Sequence, residues 1–159
     1  AQEGRPPAVR ALLAAGADPA PASDTASPVF IASHHGHVTV LQALLDARAP
    51  PDVALATGTT PACTAAVQGH CGVLKLLLEA KANPNLALAD GTTSAFIAAQ
   101  EGHAAALRLL VGSKADVNVV LSDGCTCAFV AAEMGRIEAL QMLIGLGATI
   151  TVPREDGAT

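Results

Sequence analysis

The sequence predicts an all-α fold: an α-solenoid of stacked helix-turn-helix repeats with projecting loops. Two features that recur every 33 residues predict it, a glycine and a pair of bulky apolar residues. The glycines are Gly36, Gly69, Gly102 and Gly135, and the pairs are Leu44-Leu45, Leu77-Leu78, Leu110-Val111 and Leu143-Ile144. A fixed period of this length is typical of units that bury a continuous core only by packing on their neighbours.

Each repeat contains signals for two helices in a fixed order. A turn leads to a hydroxyl residue that satisfies the free amides of a helix start, at Ser27, Thr60, Thr93 and Thr126. Pro28 and Pro61 then stand at the first helical position, where a missing N–H costs nothing. The recurring glycine ends this first helix in a left-handed conformation. The second helix carries apolar residues at i, i+3 and i+4, as at Leu107, Leu110 and Val111.

The boundaries follow from this order. We expect one repeat domain over residues 1–159. It consists of a partial repeat at 1–24, full repeats at 25–57, 58–90, 91–123 and 124–156, and the start of a further repeat at 157–159. Solenoids normally carry polar caps at their ends, and neither end has one. We therefore expect a segment of a longer array.

Composition excludes several functional classes. With 51% hydrophobic and 14% charged residues, the chain is not disordered. Three phenylalanines are its only aromatic residues and its net charge is −5, so we expect no nucleic-acid partner. The longest nearly apolar run, 140–152, is too short to span a bilayer, so no membrane insertion is expected. No secretory signal opens the chain, which favours the cytoplasm or the nucleus.

One stretch of the second full repeat carries a family resemblance. Thr60-Pro61-Ala62-Cys63-Thr64-Ala65 matches four positions of the signature T-P-L-H-x-A, counting the free one. The Gly69-His70 pair and the stretch 82–85 are also similar to this family, the ankyrin repeats. The resemblance implies a curved stack of antiparallel helix pairs. It also implies that other proteins bind at the loop tips and at the concave ends of the first helices.

The residue after each second helix departs from the family pattern. The family usually has glycine there, whereas this chain has Arg48, Lys81 and Lys114. If the left-handed geometry is kept, these residues carry backbone strain that glycine would avoid.

Nothing in the sequence indicates catalysis or a cofactor. His37, His70 and His103 recur after glycine, but no Ser or Cys recurs beside them as a nucleophile. The resemblance implies that these histidines bond loop backbone. His34 and His35 end one helix and His37 follows a chain reversal, so their rings need not converge on a metal. We therefore expect a non-catalytic protein with no metal and no cofactor.

The cysteines Cys63, Cys71, Cys125 and Cys127 do not suggest a disulfide framework. Cys63 and Cys127 lie about two repeats apart, about 20 Å if helices pack at 8–10 Å, whereas a disulfide needs Cα atoms within about 7 Å. We expect reduced thiols. Cys127 stands at a helix start, where the helix dipole favours thiolate, so we expect alkylation of Cys125 or Cys127 before Cys63.

The resemblance places partner-facing positions just before the helix-break glycine and around the turn acid. Eight residues at such positions are acidic and none is Lys or Arg, with Arg154 the nearest basic residue. An ordinary solvated face on an acidic protein is the open alternative. The predicted partner-binding residues are Asp24, His34, His35, Gln68, Asp90, Gln100, Glu101, Ser122, Asp123, Glu133 and Met134.

Together these features predict a monomeric protein-interaction module. It would present a rigid, acidic concave groove to a basic protein segment, because a preformed groove loses little conformational freedom on binding. A second interpretation stays open, in which the array is a structural spacer or a regulatory element within a larger enzyme or membrane protein.

Overall fold

The structure is a computed structural model that describes residues 5–19 and 26–150. Within these residues it has nine α-helices, and its only β-type pairing is an isolated bridge between Ala87 and Thr93. The predicted all-α class is confirmed. The helices are α1 Pro6–Ala14, α2 Pro28–His34, α3 Val38–Asp46, α4 Pro61–Val67, α5 Cys71–Glu79, α6 Ser94–Glu101, α7 Ala104–Gly112, α8 Cys127–Glu133 and α9 Ile137–Gly145.

The chain forms two compact units, Ala1–Asn83 (unit 1) and Pro84–Thr159 (unit 2). In unit 1, α2 packs against its partner α3 and also against α4, the first helix of the next repeat. The second helices α1, α3 and α5 pack in a row. In unit 2, α6 packs against α8 and α7 against α9. Each unit is therefore a stack of helix pairs, as the period predicts.

The first helices begin where the hydroxyl residues predict. Ser27 Oγ accepts a hydrogen bond from the Phe30 N–H at 3.0 Å, and Thr126 Oγ1 accepts one from the Phe129 N–H at 3.2 Å. Thr60 and Thr93 cap α4 and α6 in the same way. A cap of this kind stabilises a helix by about 1 kcal/mol.

In each unit, leucines on the second helices belong to the buried core. Leu44, Leu77, Leu110 and Leu143 stand at the same position of α3, α5, α7 and α9, and each is at most 2% exposed. Burying one leucine side chain contributes about 2 kcal/mol.

Helix α1 shows that this burial needs a partner helix. Leu12 aligns with Leu44, yet its side chain is 61% exposed whereas that of Leu44 is 2% exposed. Helix α1 packs against α3, but no first helix precedes it among the described residues. The same residue type at the same repeat position is thus core in one repeat and surface in another.

The left-handed residues after the second helices keep the geometry that the family gives to glycine. Arg48, Lys81 and Lys114 have φ values of 61°, 70° and 67°. Such a residue costs about 1–2 kcal/mol. Two hydrogen bonds close each helix end in return; at Lys114, the N–H groups of Lys114 and Ala115 donate to Val111 and Leu110 at 2.9 Å.

A ladder of side-chain hydrogen bonds connects neighbouring loops within each unit. Its acceptors stand 33 residues apart, and each accepts the backbone N–H of the residue 31 positions later. The bonds run to Asp52 from Asn83 (3.0 Å), to Asn85 from Asp116 (2.8 Å) and to Asn118 from Thr149 (2.8 Å). Loop backbone that helices cannot satisfy is bonded in this way to the next repeat.

Asp52 makes fewer hydrogen bonds in this ladder than Asn85 does. The Nδ2 group of Asn85 also donates to the Lys114 carbonyl oxygen at 3.1 Å, so the asparagine both accepts and donates. An ionised carboxylate cannot donate, and Oδ1 of Asp52 is buried without a hydrogen-bond partner.

Replacing Asp52 with asparagine is therefore expected to stabilise the protein. An amide at this position can donate where Oδ1 has no partner, and an unsatisfied buried polar atom costs about 1–3 kcal/mol. We expect Asp52→Asn to raise the free energy of unfolding in urea by about 1 kcal/mol. The mirror-image variant Asn85→Asp should lower it, because it removes the bond to Lys114. A lower stability for Asp52→Asn would contradict this explanation.

A second buried polar atom lies in α2. The hydroxyl of Ser33 is fully buried and has no hydrogen-bond partner, whereas the two following repeats have the buried residues Ala66 and Ala99 at this position.

Two serine substitutions around α2 should therefore have opposite effects. Ser33→Ala removes an unsatisfied hydroxyl and should raise the free energy of unfolding by about 1 kcal/mol. Ser27→Ala removes the cap of the same helix and should lower it by about 1 kcal/mol. Urea denaturation of both variants tests the pair; equal signs would show that hydroxyl burial is not the deciding factor.

Candidate partner-binding surface

The loops between repeats form three similar turns. In unit 1, the Leu55 N–H donates to the Thr59 carbonyl at 3.0 Å. In unit 2, the N–H groups of Leu88 and Leu121 donate to the carbonyls of Thr92 and Cys125 at 2.8 and 2.9 Å. The tips of these turns carry the positions around the turn acid, which include the predicted residues Asp90, Ser122 and Asp123. All of them are exposed: Ala56, Thr57, Ala89, Asp90, Ser122 and Asp123.

The two turn acids of unit 2 also have a structural role. Oδ1 of Asp90 accepts the Thr92 N–H at 2.9 Å, and Oδ1 of Asp123 accepts the Cys125 N–H at 2.9 Å. The bond from the Thr92 N–H lowers the pKa of Asp90, because it stabilises the ionised carboxylate. These bonds fix each carboxylate at its turn.

In unit 1, the predicted residues at helix ends are two histidines and a glutamine. His34, His35 and Gln68 are exposed at the ends of α2 and α4. Nδ1 of His34 lies 3.0 Å from Oγ1 of Thr64, a hydrogen bond between neighbouring first helices. Asp24, the remaining predicted residue of this unit, lies outside the described residues.

In unit 2, the predicted residues at helix ends are more acidic. Gln100 and Glu101 end α6 and are half-buried, with Gln100 Nε2 3.4 Å from Glu101 Oε1. Glu133 and Met134 end α8 and are exposed. Because α6 packs against α8, the structure brings these two pairs onto adjacent helices. That these residues contact a partner stays a prediction.

Arg136 is the residue that the charge pattern of the sequence missed. Its Nε–H donates to the carbonyl oxygen of Gln100 at 2.9 Å, so a basic residue lies directly beside the acidic end of α6. From the sequence alone, Arg154 is expected to be the basic residue nearest to the acidic positions. Position 136 continues the series His37, His70 and His103, and this register was the available signal.

Three histidines between the end of α2 and the start of α3 contact one another. The rings of His34 and His35 meet edge to face with centroids 4.9 Å apart, and those of His35 and His37 stack at 5.6 Å. In the part of the chain that the structure describes, no group of three or more His, Cys, Asp or Glu residues is arranged to hold a metal ion.

A surface cleft of about 260 Å³ lies between α3 and α5 in unit 1. Leu45, Leu76 and Ala80 line it, together with Gln42, Asp46 and Glu79. None of the predicted site residues contributes to it, so it does not extend the candidate surface.

The prediction that Cys127 favours thiolate and reacts before Cys63 is wrong. All four cysteines are thiols, but Cys127 and Cys63 are fully buried, whereas Cys71 and Cys125 are partly exposed. The pKa of the Cys127 thiol is raised to about 12, chiefly by burial, with a smaller contribution from the Asp116 carboxylate. The backbone N–H at the helix start acts in the opposite direction but is the smaller effect. Desolvation of the thiolate therefore outweighs the helix dipole.

Comparison with known proteins agrees with this architecture. A family model described as ankyrin repeats, in three copies, matches residues 1–87 and again residues 73–154. No curated protein matches the chain significantly. No helix among the described residues is long and apolar enough to cross a membrane.

The fold defines a class, the helical repeat proteins in which stacked helix pairs carry projecting turns. Within that class, the chain belongs to the ankyrin repeat family. Proteins of this family generally mediate protein–protein interaction and are typically non-catalytic.

The corrected picture of the thiols predicts an order of alkylation. Cys71 and Cys125 should react with iodoacetamide under native conditions before Cys63 and Cys127, because reaction needs an accessible thiolate. Mass spectrometry of partially alkylated protein gives the order, and the same reaction in urea should remove it. Early labelling of Cys127 in the folded protein would contradict the structure of the α8 start.

Proposed function

We propose that this protein binds a positively charged protein segment through the acidic residues of unit 2. The surface consists of Asp90, Glu101, Asp123 and Glu133, here called the acidic surface. The observation that carries the proposal is their placement: three are exposed and one is half-buried, at turn tips and helix ends of a single unit. These are the positions through which the family resemblance implies partner binding.

Two features of the acidic surface suit it to recognition. The turn carboxylates are held by the backbone N–H groups of Thr92 and Cys125, so little ordering is needed when a partner binds. Helix-end and turn carboxylates come from neighbouring repeats, which packed helices place about 10 Å apart. That is close to the Debye length of about 8 Å at physiological salt, so adjacent charges reinforce one another only in part.

This charge distribution affects the association rate more than the equilibrium affinity. Exposed carboxylates that are partly screened raise the rate of encounter with a cationic segment and disfavour anionic ones, and each contributes little to the lifetime of the complex. We infer a non-catalytic module whose selectivity comes from charge and whose affinity comes from contacts that the partner adds.

The test begins with a partner-independent probe. Selecting from a random peptide library against the whole protein should enrich peptides that are rich in Lys and Arg. The enriched peptides, made synthetically, are then the ligands for kinetic measurements at low and physiological salt. Enrichment of acidic or purely apolar peptides, or no enrichment at all, would refute the proposed function.

Isosteric neutralisation gives the decisive variant. Glu101→Gln, Asp123→Asn and Glu133→Gln together remove three charges and keep the side-chain shape, including an acceptor for the Cys125 N–H. We expect the association rate to fall about tenfold and its salt dependence to weaken, because steering is lost.

The matched control removes the same number of charges elsewhere. Asp46→Asn, Glu79→Gln and Glu138→Gln change exposed acids on the second helices α3, α5 and α9 and alter the net charge equally. This variant should bind the selected peptides nearly as the parent does. If both triple variants weaken binding equally, net charge alone is responsible and the acidic surface is an ordinary solvated face.

A further inference from the structure

Arg136 replaces histidine in packing between two repeats. In unit 1, the ring of His70 covers Gly36 so closely that a Cβ there would lie 2.9 Å from its Cε1 atom. In unit 2, the side chain of Arg136 covers Gly102 in the same way, with Cδ 2.7 Å and Cγ 3.2 Å from the corresponding Cβ position. Its Nε–H also binds the Gln100 carbonyl oxygen. The contacts of Arg136 that cover Gly102 most closely are therefore made by the stem and Nε.

The terminal amino groups of this guanidinium are not needed for that role. Glu101 follows Gln100 directly and Glu133 precedes Arg136 by three residues. Even so, Arg136 forms no ion pair with any residue that the structure describes. A positive charge thus stands at the edge of the acidic surface without a carboxylate partner, and a uniformly basic segment would be repelled at this point.

We propose that Arg136 binds a carboxylate of the partner, so that the recognised segment carries one Asp or Glu among its basic residues. This inference rests on the proposed function and restricts the partner to basic segments that contain an acidic residue. The bond from Nε fixes the plane of the guanidinium, which leaves its two terminal amino groups as a preoriented fork. Such a fork matches a carboxylate with two parallel hydrogen bonds.

The test uses the peptides selected above and the same peptides with their acidic residue changed to its amide. The wild-type protein should bind the acid form about fivefold to tenfold more tightly than the amide form. In Arg136→His this difference should vanish, because histidine keeps the packing seen at His70 but lacks the fork. Arg136→Lys keeps the charge and should retain only part of the difference.

Two further measurements separate recognition from structure. Arg136→Gln keeps a flexible stem and an N–H donor without the charge, and it replaces Arg136→His if that variant unfolds. The melting temperature of the variant used should stay close to that of the parent. A purely structural arginine would instead lower the melting temperature and weaken acid and amide peptides equally, which would overturn the proposal.

The outcomes also distinguish this inference from the proposed function. If the selected peptides are basic but contain no acidic residue, or if their acid and amide forms bind equally, Arg136 has no recognition role and the acidic surface remains supported. If neutralising Glu101, Asp123 and Glu133 changes nothing, the proposed function fails, and the inference fails with it.

Discussion

The structure depends on one constraint: a single helix of this length cannot bury its own apolar stripe. Leu44 and Leu12 are the same residue type at equivalent positions, and only the one whose helix packs against a first helix is buried. Each helix pair contributes one wall of a core that the next pair completes. Stability is therefore shared between neighbours, and a defect in one repeat affects the packing surface of the adjacent one.

The same dependence extends to the polar groups of the backbone. The loops after the second helices are too irregular to satisfy their own N–H groups, and side chains of the preceding repeat accept them at Asp52, Asn85 and Asn118. The left-handed residues Lys81 and Lys114 end the second helices just before Asn83 and Asp116, whose N–H groups the ladder binds. Their backbone strain is therefore part of the connection between repeats.

Most of the positions in the candidate surface could be predicted from the sequence, whereas their environment could not. The turn tips and helix ends follow from the 33-residue register, because caps and left-handed glycines are local signals. The hydrogen bonds that hold Asp90 and Asp123 are also local. The contact of Arg136 with Gln100 joins residues 36 positions apart, so only the register of the histidine series pointed to it.

The sequence by itself determined the helices and their ends, since these depend on nearby residues of the chain, and it determined the period because the same local signals recur every 33 residues. The tertiary structure decided how each side chain is solvated, and this reverses one local expectation. Cys127 begins a helix, which favours thiolate, yet burial raises its pKa to about 12. Asp52 accepts its ladder bond from Asn83, yet its other oxygen is buried without a partner. Both effects come from burial, which depends on residues that the tertiary structure brings together and which leaves no signal in the local sequence.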